Sequence, residues 1–387
     1  MATPVVALLI ETSREYGRGL LRGIIRYQRE HGPWSVYFKP QGLGDPPPRW
    51  LARWRGDGIL ARINDRHMAE VVLKTGLPAV DLRGAVGELG LPVVGVDNRA
   101  VIRLAVRHFL DRGFRHFAFC GTPRGENCYQ DERADRFQDS LARHGFNCHL
   151  HLGDAGRGAQ SWEDEQRQIV DWLRSLEKPL AVMACNDDRG HQMLDACLRA
   201  GLHVPDEVAI LGVDNDPLLC ALSTPPLSSV DVHPERIGYE AAATLTRMMR
   251  GRAWPKRYRG FAPRDIVTRQ STDVMAVEDQ DVAHAVRLIR AHACSSTSID
   301  QLLRQVGVSR STLFRRFTQS LGRSPKEEMT RVRLERAKEL LRETRLPIHA
   351  IAERVGYSEA KYFSEVFHAA FGETALKYRR QTAAKRP

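Results

Sequence analysis

The sequence predicts a parallel α/β body followed by a basic, all-helical tail. Three observations carry this. Short β-rich runs alternate with longer stretches of helical periodicity from Val5 to about Thr272, two similar helix-turn-helix patterns follow, and the net charge sits almost entirely with those patterns. Of the 58 Lys+Arg and 47 Asp+Glu, 21 and 11 fall between Asp281 and Pro387, a net +10 out of +11, leaving 37 against 36 for everything before. A compact basic unit on a nearly neutral carrier is the electrostatic footprint of a nucleic-acid-binding domain.

In chain order the β-rich runs are VVALLIE, WSVYFKP, DGILARI, PAVDLRG, PVVGVDN, HFAFCGT, LAVMACND and VAILGVDND. Helical periodicity separates them, as over Arg99 to Arg112 and Asp188 to Ala200, and repeated βα units with apolar strands predict buried parallel sheets. Several runs end in polar residues, and ligands of open α/β sheets bind beyond the carboxyl ends of strands, so binding residues are expected there.

The first run leads into GRGLLRG, which comes close to a dinucleotide fingerprint. Glu11 to Tyr16 separate its glycines from the strand, and the next strand ends in Lys39 and Pro40 rather than a ribose-holding acid. Gly17, Gly19 and Gly23 therefore read as close helix-packing positions, and no nucleotide cofactor is expected. The seven cysteines are scattered without a CxxC pair and the histidines show no HExxH, so no metal site is expected either. No nucleophile elbow or phosphate loop points to a catalytic residue. MATPVVALLI runs directly into charged residues without the basic start of a signal peptide, and no apolar stretch reaches membrane-spanning length. The expected compartment is the cytoplasm, with no membrane partner.

In the tail, QLLRQVGVSRSTLFRRFTQSLG from Gln301 and AIAERVGYSEAKYFSEVFHAAFG from Ala350 each give a short amphipathic helix ending in Val-Gly, a turn, and a second helix ending at glycine. Ser309 and Ser358 are the expected N-caps. KEEMTRVRLERAKELLRET forms a helix between the two units, and Pro347 fits the first turn of the helix after it. With Leu313 and Phe317 inward, the first recognition helix presents Arg310, Ser311, Thr312, Phe314 and Arg315 to the DNA groove, Arg316 lying at the margin. With Phe363, Val366 and Phe367 inward, the second presents Ala360, Lys361, Tyr362, Ser364 and Glu365. Arg315 suits a bidentate guanine contact, Phe314 a thymine methyl and Glu365 a cytosine amino group, although any of these charges could face phosphate or solvent instead.

Through Ile351 to Tyr357, Tyr362 to Phe367, Phe371, Gly372, Tyr378 and Arg379, the tail resembles the DNA-binding domain of AraC-type transcription regulators. Ala375 stands where that family usually has proline, and His368 where lysine is common. Through VVGVDNRAVIRLAVRHFLDRGFRHFAFCG, ACNDDRGHQML and VAILGVDND followed by PPLSSV, the body resembles the periplasmic-binding-protein-like sensor of LacI-type repressors. These resemblances imply a two-lobed sensor over residues 1–274 and a DNA-binding domain over 282–382. The lobes would be about 4–97 with 233–270, and 98–232. The acidic segment from Thr272 to Asp281 would connect the two domains.

The joined architecture resembles regulators of sugar-utilisation operons. It implies a small-molecule sugar effector, a xylose-like pentose being the first candidate, with double-stranded operator DNA, a homodimer and contact with RNA polymerase. Carried over from the sensor family, Asp214, Arg133 and either Asn186 or Asp187 would hold the sugar's hydroxyls, with Glu11, Ser13 and Tyr16 completing the site from the first loop. Caps and ion pairs are the rival roles for these residue types. A sugar-processing enzyme that uses Glu11 and Asp214 as acid and base is the alternative class.

Overall fold

A computed structural model describes residues 3–42, 45–87, 89–153, 162–252, 258–274, 279–295, 298–344 and 346–383. The chain forms two compact units, Met1–Val274 and Met275–Pro387. Of the expected connecting segment, residues 275–278 lie outside the described residues.

The first unit holds two six-stranded sheets. Numbered in chain order, one contains β1 (Val5–Leu9), β2 (Ser35–Phe38), β3 (Gly58–Ala61), β4 (Ala79–Asp81), β5 (Val93–Val96) and β11 (Tyr258–Phe261). The other contains β6 (His116–Cys120), β7 (Cys148–His151), β8 (Leu180–Ala184), β9 (Val208–Val213), β10 (Ser228–Asp231) and β12 (Asp265–Val267). Their orders, β2-β1-β3-β4-β5-β11 and β7-β6-β8-β9-β10-β12, are the same doubly wound arrangement built twice, parallel except for the β10–β12 pair. All eight β-rich runs become strands. The four strands without such a run are β7, whose CHLH is half polar, the serine-rich β10, and the short β11 and β12.

One expected boundary needs correction. Residues 233–270 do not all belong to the first lobe, because β12 pairs antiparallel with β10 through Ser229–Val267, Val230–Ile266 and Asp231–Asp265. The chain therefore passes between sheets three times, after β5, after β10 and again between β11 and β12. Beyond β12, the Thr272 hydroxyl lies 2.8 Å from His108 Nε2 and bonds Ser228 Oγ at 2.8 Å, tying this end to the second lobe.

Among the described residues eight α-helices cover the sheets: α1 (Glu15–His31), α2 (Arg66–Lys74), α3 (Asn98–Leu110), α4 (Cys128–Ala142), α5 (Trp162–Ser175), α6 (Asp187–Ala200), α7 (Pro217–Leu222) and α8 (Pro234–Met249). The glycines of GRGLLRG lie inside α1 and let it close on its neighbours. A Cβ at Gly19 would fall 2.5 Å from Pro234, and one at Gly23 would fall 1.9 Å from the Glu235 carbonyl oxygen. Backbone contact at that range needs residues without side chains. These glycines serve helix packing, as their spacing from the strand led one to expect.

The second unit consists of α9 (Gln280–His292), α10 (Ile299–Leu303), α11 (Arg310–Leu321), α12 (Pro325–Glu343), α13 (Ile348–Arg354), α14 (Ala360–Phe371) and α15 (Ala375–Ala383). Its duplication reaches the backbone. Gly307 and Gly356 take φ of +81° and +85° at the turns, and Gly322 and Gly372 end the second helices at +68° and +71°. Leu313, Phe317 and Leu321 join one apolar cluster, and Phe363, Phe367 and Tyr357 join another, so each half has its own core. Ser309 caps α11, accepting from Thr312 N, whereas the residue before α14 is Glu359, without a side-chain cap bond, rather than Ser358. Pro347 stands at the N-cap of α13 instead of inside its first turn.

Candidate functional site

The carboxyl ends of both sheets face a cleft that opens to solvent. The first lobe lines it with Tyr16, Arg62, Leu82, Arg83, Val96 and Tyr258, and the second with Tyr129, Arg133 and Asp214. Five of these positions follow from the winding. Arg62 leaves β3, Leu82 and Arg83 leave β4, Val96 ends β5, and Asp214 leaves β9, as the crevice of doubly wound sheets requires.

Arg133 projects from α4 and is buried, with 1 % exposure. Its guanidinium donates from Nε to Asn98 Oδ1 at 3.1 Å and from Nη1 to the Cys185 carbonyl, and it stands 5.4 Å from the centre of the Tyr129 ring. Asn98 is itself held by donating to the Tyr129 carbonyl and the Glu132 carboxylate. Both anchors of Arg133 that hold it by hydrogen bonds are neutral. Asp214 sits at φ +110°, a strained setting for a residue with a side chain, and its carboxylate bonds to no described residue. Burial pushes that carboxyl up to about 6 even though the charges of Arg133 and Arg62 pull it down.

Arg62 lies 4.8 Å from the centre of the Tyr16 ring and pairs with the buried Glu11 carboxylate. Burial, followed by the neighbouring Arg83 charge, lowers Arg62 to about 10, and it stays protonated at neutral pH. Arg83 donates to Asn64 Oδ1. Beneath them Asp81 accepts from the backbone N–H groups of Arg83, Gly84 and Ile63 at 2.8, 3.1 and 3.4 Å, fixing the loops that carry both arginines. Aromatic rings with hydrogen-bonding groups beside charged donors and acceptors suit a small polar ligand with both hydroxyls and an apolar face.

Of the residues singled out in the sequence, Tyr16, Arg133 and Asp214 meet in this cleft. The other four do not line it. Glu11 is spent on Arg62, and Ser13 is exposed. Asn186 caps α6, accepting from Arg189 N at 2.9 Å. Asp187 accepts from Ser229 Oγ at 2.5 Å and Asp216 N at 2.7 Å, bracing the turn after β9. For Asn186 the capping demand of a helix start competes with ligand contact, and for Asp187 the bracing of the neighbouring turn does. The sequence reading passed over Arg62, Arg83, Tyr129 and Tyr258. Arg62 and Arg83 carry a usable signal, since each stands at the carboxyl end of a β-rich run; Tyr129 sits in a first helical turn and Tyr258 on an edge strand, where nothing marks them.

In the second unit Arg315, Lys361 and Glu365 are exposed and bond to no described residue, as is required of side chains that await a partner. Ser311 is exposed too, its hydroxyl 3.2 Å from Ser309 Oγ. Arg310 is exposed but reaches Asp300 at 3.3 Å and stands 5.2 Å from the Phe314 ring centre, while Phe314 is half-buried against the first core. The Thr312 hydroxyl is engaged with Ser309 at 2.8 Å, and Ser364 donates back to the Ala360 carbonyl at 2.8 Å. Ala360 is half-buried, and Tyr362 is exposed with its ring edge-on to Tyr357 at 5.9 Å. Arg316 pairs with Asp281 at 3.0 Å. Tyr378 packs on Phe367, and Arg379 donates to the Leu346 carbonyl at 2.6 Å, so both brace the second core.

Among the described residues no helix is long and apolar enough to cross a membrane. Residues 106–272 match the periplasmic binding protein-like domain family, and residues 302–381 match a helix-turn-helix domain family. The chain is 29% identical to the xylose operon regulatory protein of Escherichia coli (strain K12) over 97% of its length and 96% of the relative's. It is also 29% identical to that of Haemophilus influenzae, covering 97% of each. The solved structure of a xylose-binding transcription activator superposes with a TM-score of 0.82 at 27% identity, covering 98% of both chains. These relatives are regulators, which leaves the enzyme alternative without support. Along nearly its whole length the chain is a homologue of the xylose operon regulatory proteins, a transcription regulator that joins a periplasmic-binding-protein-like domain to a helix-turn-helix domain.

Proposed function

We propose that a monosaccharide-sized sugar binds in the interlobe cleft and alters how the two recognition helices are placed on operator DNA. The observation that carries this is the meeting of Asp214 and Arg133 from one lobe with Tyr16, Arg62 and Arg83 from the other. A ligand that bonds both lobes holds them at one spacing, and only differential contact of that kind shifts a conformational equilibrium. The names of the relatives make xylose the first candidate. Arg315 and its neighbours on α11, with Lys361, Tyr362 and Glu365 on α14, would read bases or anchor phosphate in double-stranded DNA. The regulator would act in the cytoplasm as a homodimer, and contact with RNA polymerase belongs to this reading.

Calorimetric titration of pentoses and hexoses tests the cleft. Asp214→Ala and Arg133→Ala should each weaken sugar binding tenfold or more, about 1.4 kcal/mol, while DNA binding without sugar survives. Unchanged sugar affinity in both folded variants would move the site elsewhere.

A further inference from the structure

The charge of the cleft narrows what it takes. Three guanidiniums line it, Arg62, Arg83 and Arg133, against one lining carboxylate, Asp214. Arg62 is balanced by Glu11. The hydrogen-bond partners of the other two are neutral: Asn64 for Arg83, and Asn98 with the Cys185 carbonyl for Arg133. Asp81 stands behind the wall with its oxygens occupied by backbone N–H groups, and Asp188 is engaged by Arg14 at 2.8 Å. Glu132, near Asn98, is paired with Arg136 at 2.7 Å. Facing the ligand, two arginines without acidic partners oppose a single aspartate.

A second observation agrees. Arg62 and Arg83 repel each other, and the Nε of each is buried without a hydrogen-bond partner among the described residues. A neutral hydroxyl relieves neither the repulsion nor the excess charge. A carboxylate does both, and it matches the planar fork of a guanidinium.

We infer that the effector is an acidic sugar, a monosaccharide carrying one carboxylate that seats against Arg62 and Arg83 while its hydroxyls meet Asp214 and Arg133. This rests on the reading that the cleft binds a sugar. A uronate meets both demands, being a xylose-like ring with a carboxylate where xylose has only hydrogen, and an aldonate is the open-chain counterpart.

Matched pairs test it on the full chain. D-glucose with D-glucuronate, D-galactose with D-galacturonate, and D-xylose with D-xylonate are titrated calorimetrically at low and at moderate salt. The inference expects at least one acid to bind tenfold or more tighter than its neutral counterpart, an advantage that shrinks with added salt. It also expects the ratio of acid to neutral-sugar affinity to fall tenfold or more in Arg83→Gln, shown to be folded by its thermal unfolding. If a neutral sugar binds as tightly as every acid, the cleft is still a sugar site and the acidic effector is wrong. If none of the six binds, the sugar reading and this inference fall together.

Discussion

Both units gather arginines around a carboxylate, to opposite ends. In the helical unit Glu328 on α12 is fully buried and bonded by Arg331 at 2.7 and 2.9 Å, with Arg323 at 2.6 Å and Arg290 at 3.6 Å. Burial pushes its pKa up, yet the Arg331 hydrogen bond and the charges of Arg331, Arg290 and Arg323 outweigh this and hold it at about 2. In the cleft, Asp214 faces Arg133 and Arg62 without a hydrogen bond, and burial wins, pushing it to about 6. The first cluster is completed by its own chain. The second is left incomplete, which costs stability and keeps bonding capacity for a ligand.

That contrast is most easily broken at Glu328. Glu328→Ala leaves three arginines without their shared acceptor and should destabilise the helical unit by about 3–5 kcal/mol, read by chemical denaturation. Asp214→Asn should do the reverse at pH 7.5, stabilising the α/β unit by about 1–3 kcal/mol while abolishing tight ligand binding. If both changes destabilise, the cleft is not an unsatisfied site.

The two carboxyls also differ in the sign of their pH dependence. Asp214 has a raised folded pKa, so its penalty is full above about 6, fades as pH falls from 6 toward the unfolded value of 3.8, and is gone below it. The stability difference between wild type and Asp214→Asn should therefore vanish between pH 7 and pH 4. Glu328 has a depressed folded pKa, so its contribution is full above 4.5 and lost as pH falls toward 2. Wild type and Glu328→Gln should still differ at pH 5. Matching pH profiles for the two pairs would remove the distinction.

At the recognition helices smaller effects are expected. Arg315→Ala should relax preference at one base position by about 1–3 kcal/mol, measured by competition among single-base variants of a selected site. A uniform loss with a lower salt slope would assign Arg315 to phosphate instead. Ser364→Ala should change DNA affinity by less than about twofold, because its hydroxyl is already bonded to its own helix.

The fold was largely legible because its signals are periodic. Buried parallel strands announce themselves as apolar runs, and the duplicated Val-Gly and terminal glycines mark positive-φ turns that few other residues tolerate. The edge strands β7 and β12 were missed because a half-exposed strand has no such run, and missing β12 misplaced the lobe boundary. At the site, Asp214 was named through the resemblance to the sensor family, and the strand-end rule by itself reached Arg62 and Arg83 as well. It could not rank them, since a guanidinium after a strand serves equally in a cleft or a surface pair. Asn186 and Asp187 show the limit, because an amide that caps a helix or a carboxylate that braces a turn has the same chemistry as a sugar ligand until the geometry shows which atoms are taken.

The central claim is a division of labour in which the cleft senses and the helical unit reads. Its most direct test is the affinity of the full chain, of residues 281–387 and of the Asp214→Ala variant for one DNA duplex selected from a random pool by the helical fragment, each with and without a sugar that titrates into wild type. The account predicts salt-dependent DNA binding by all three, with a sugar response of threefold or more in the wild-type chain alone. A sugar response in residues 281–387, or none in the saturated wild-type chain, would contradict it.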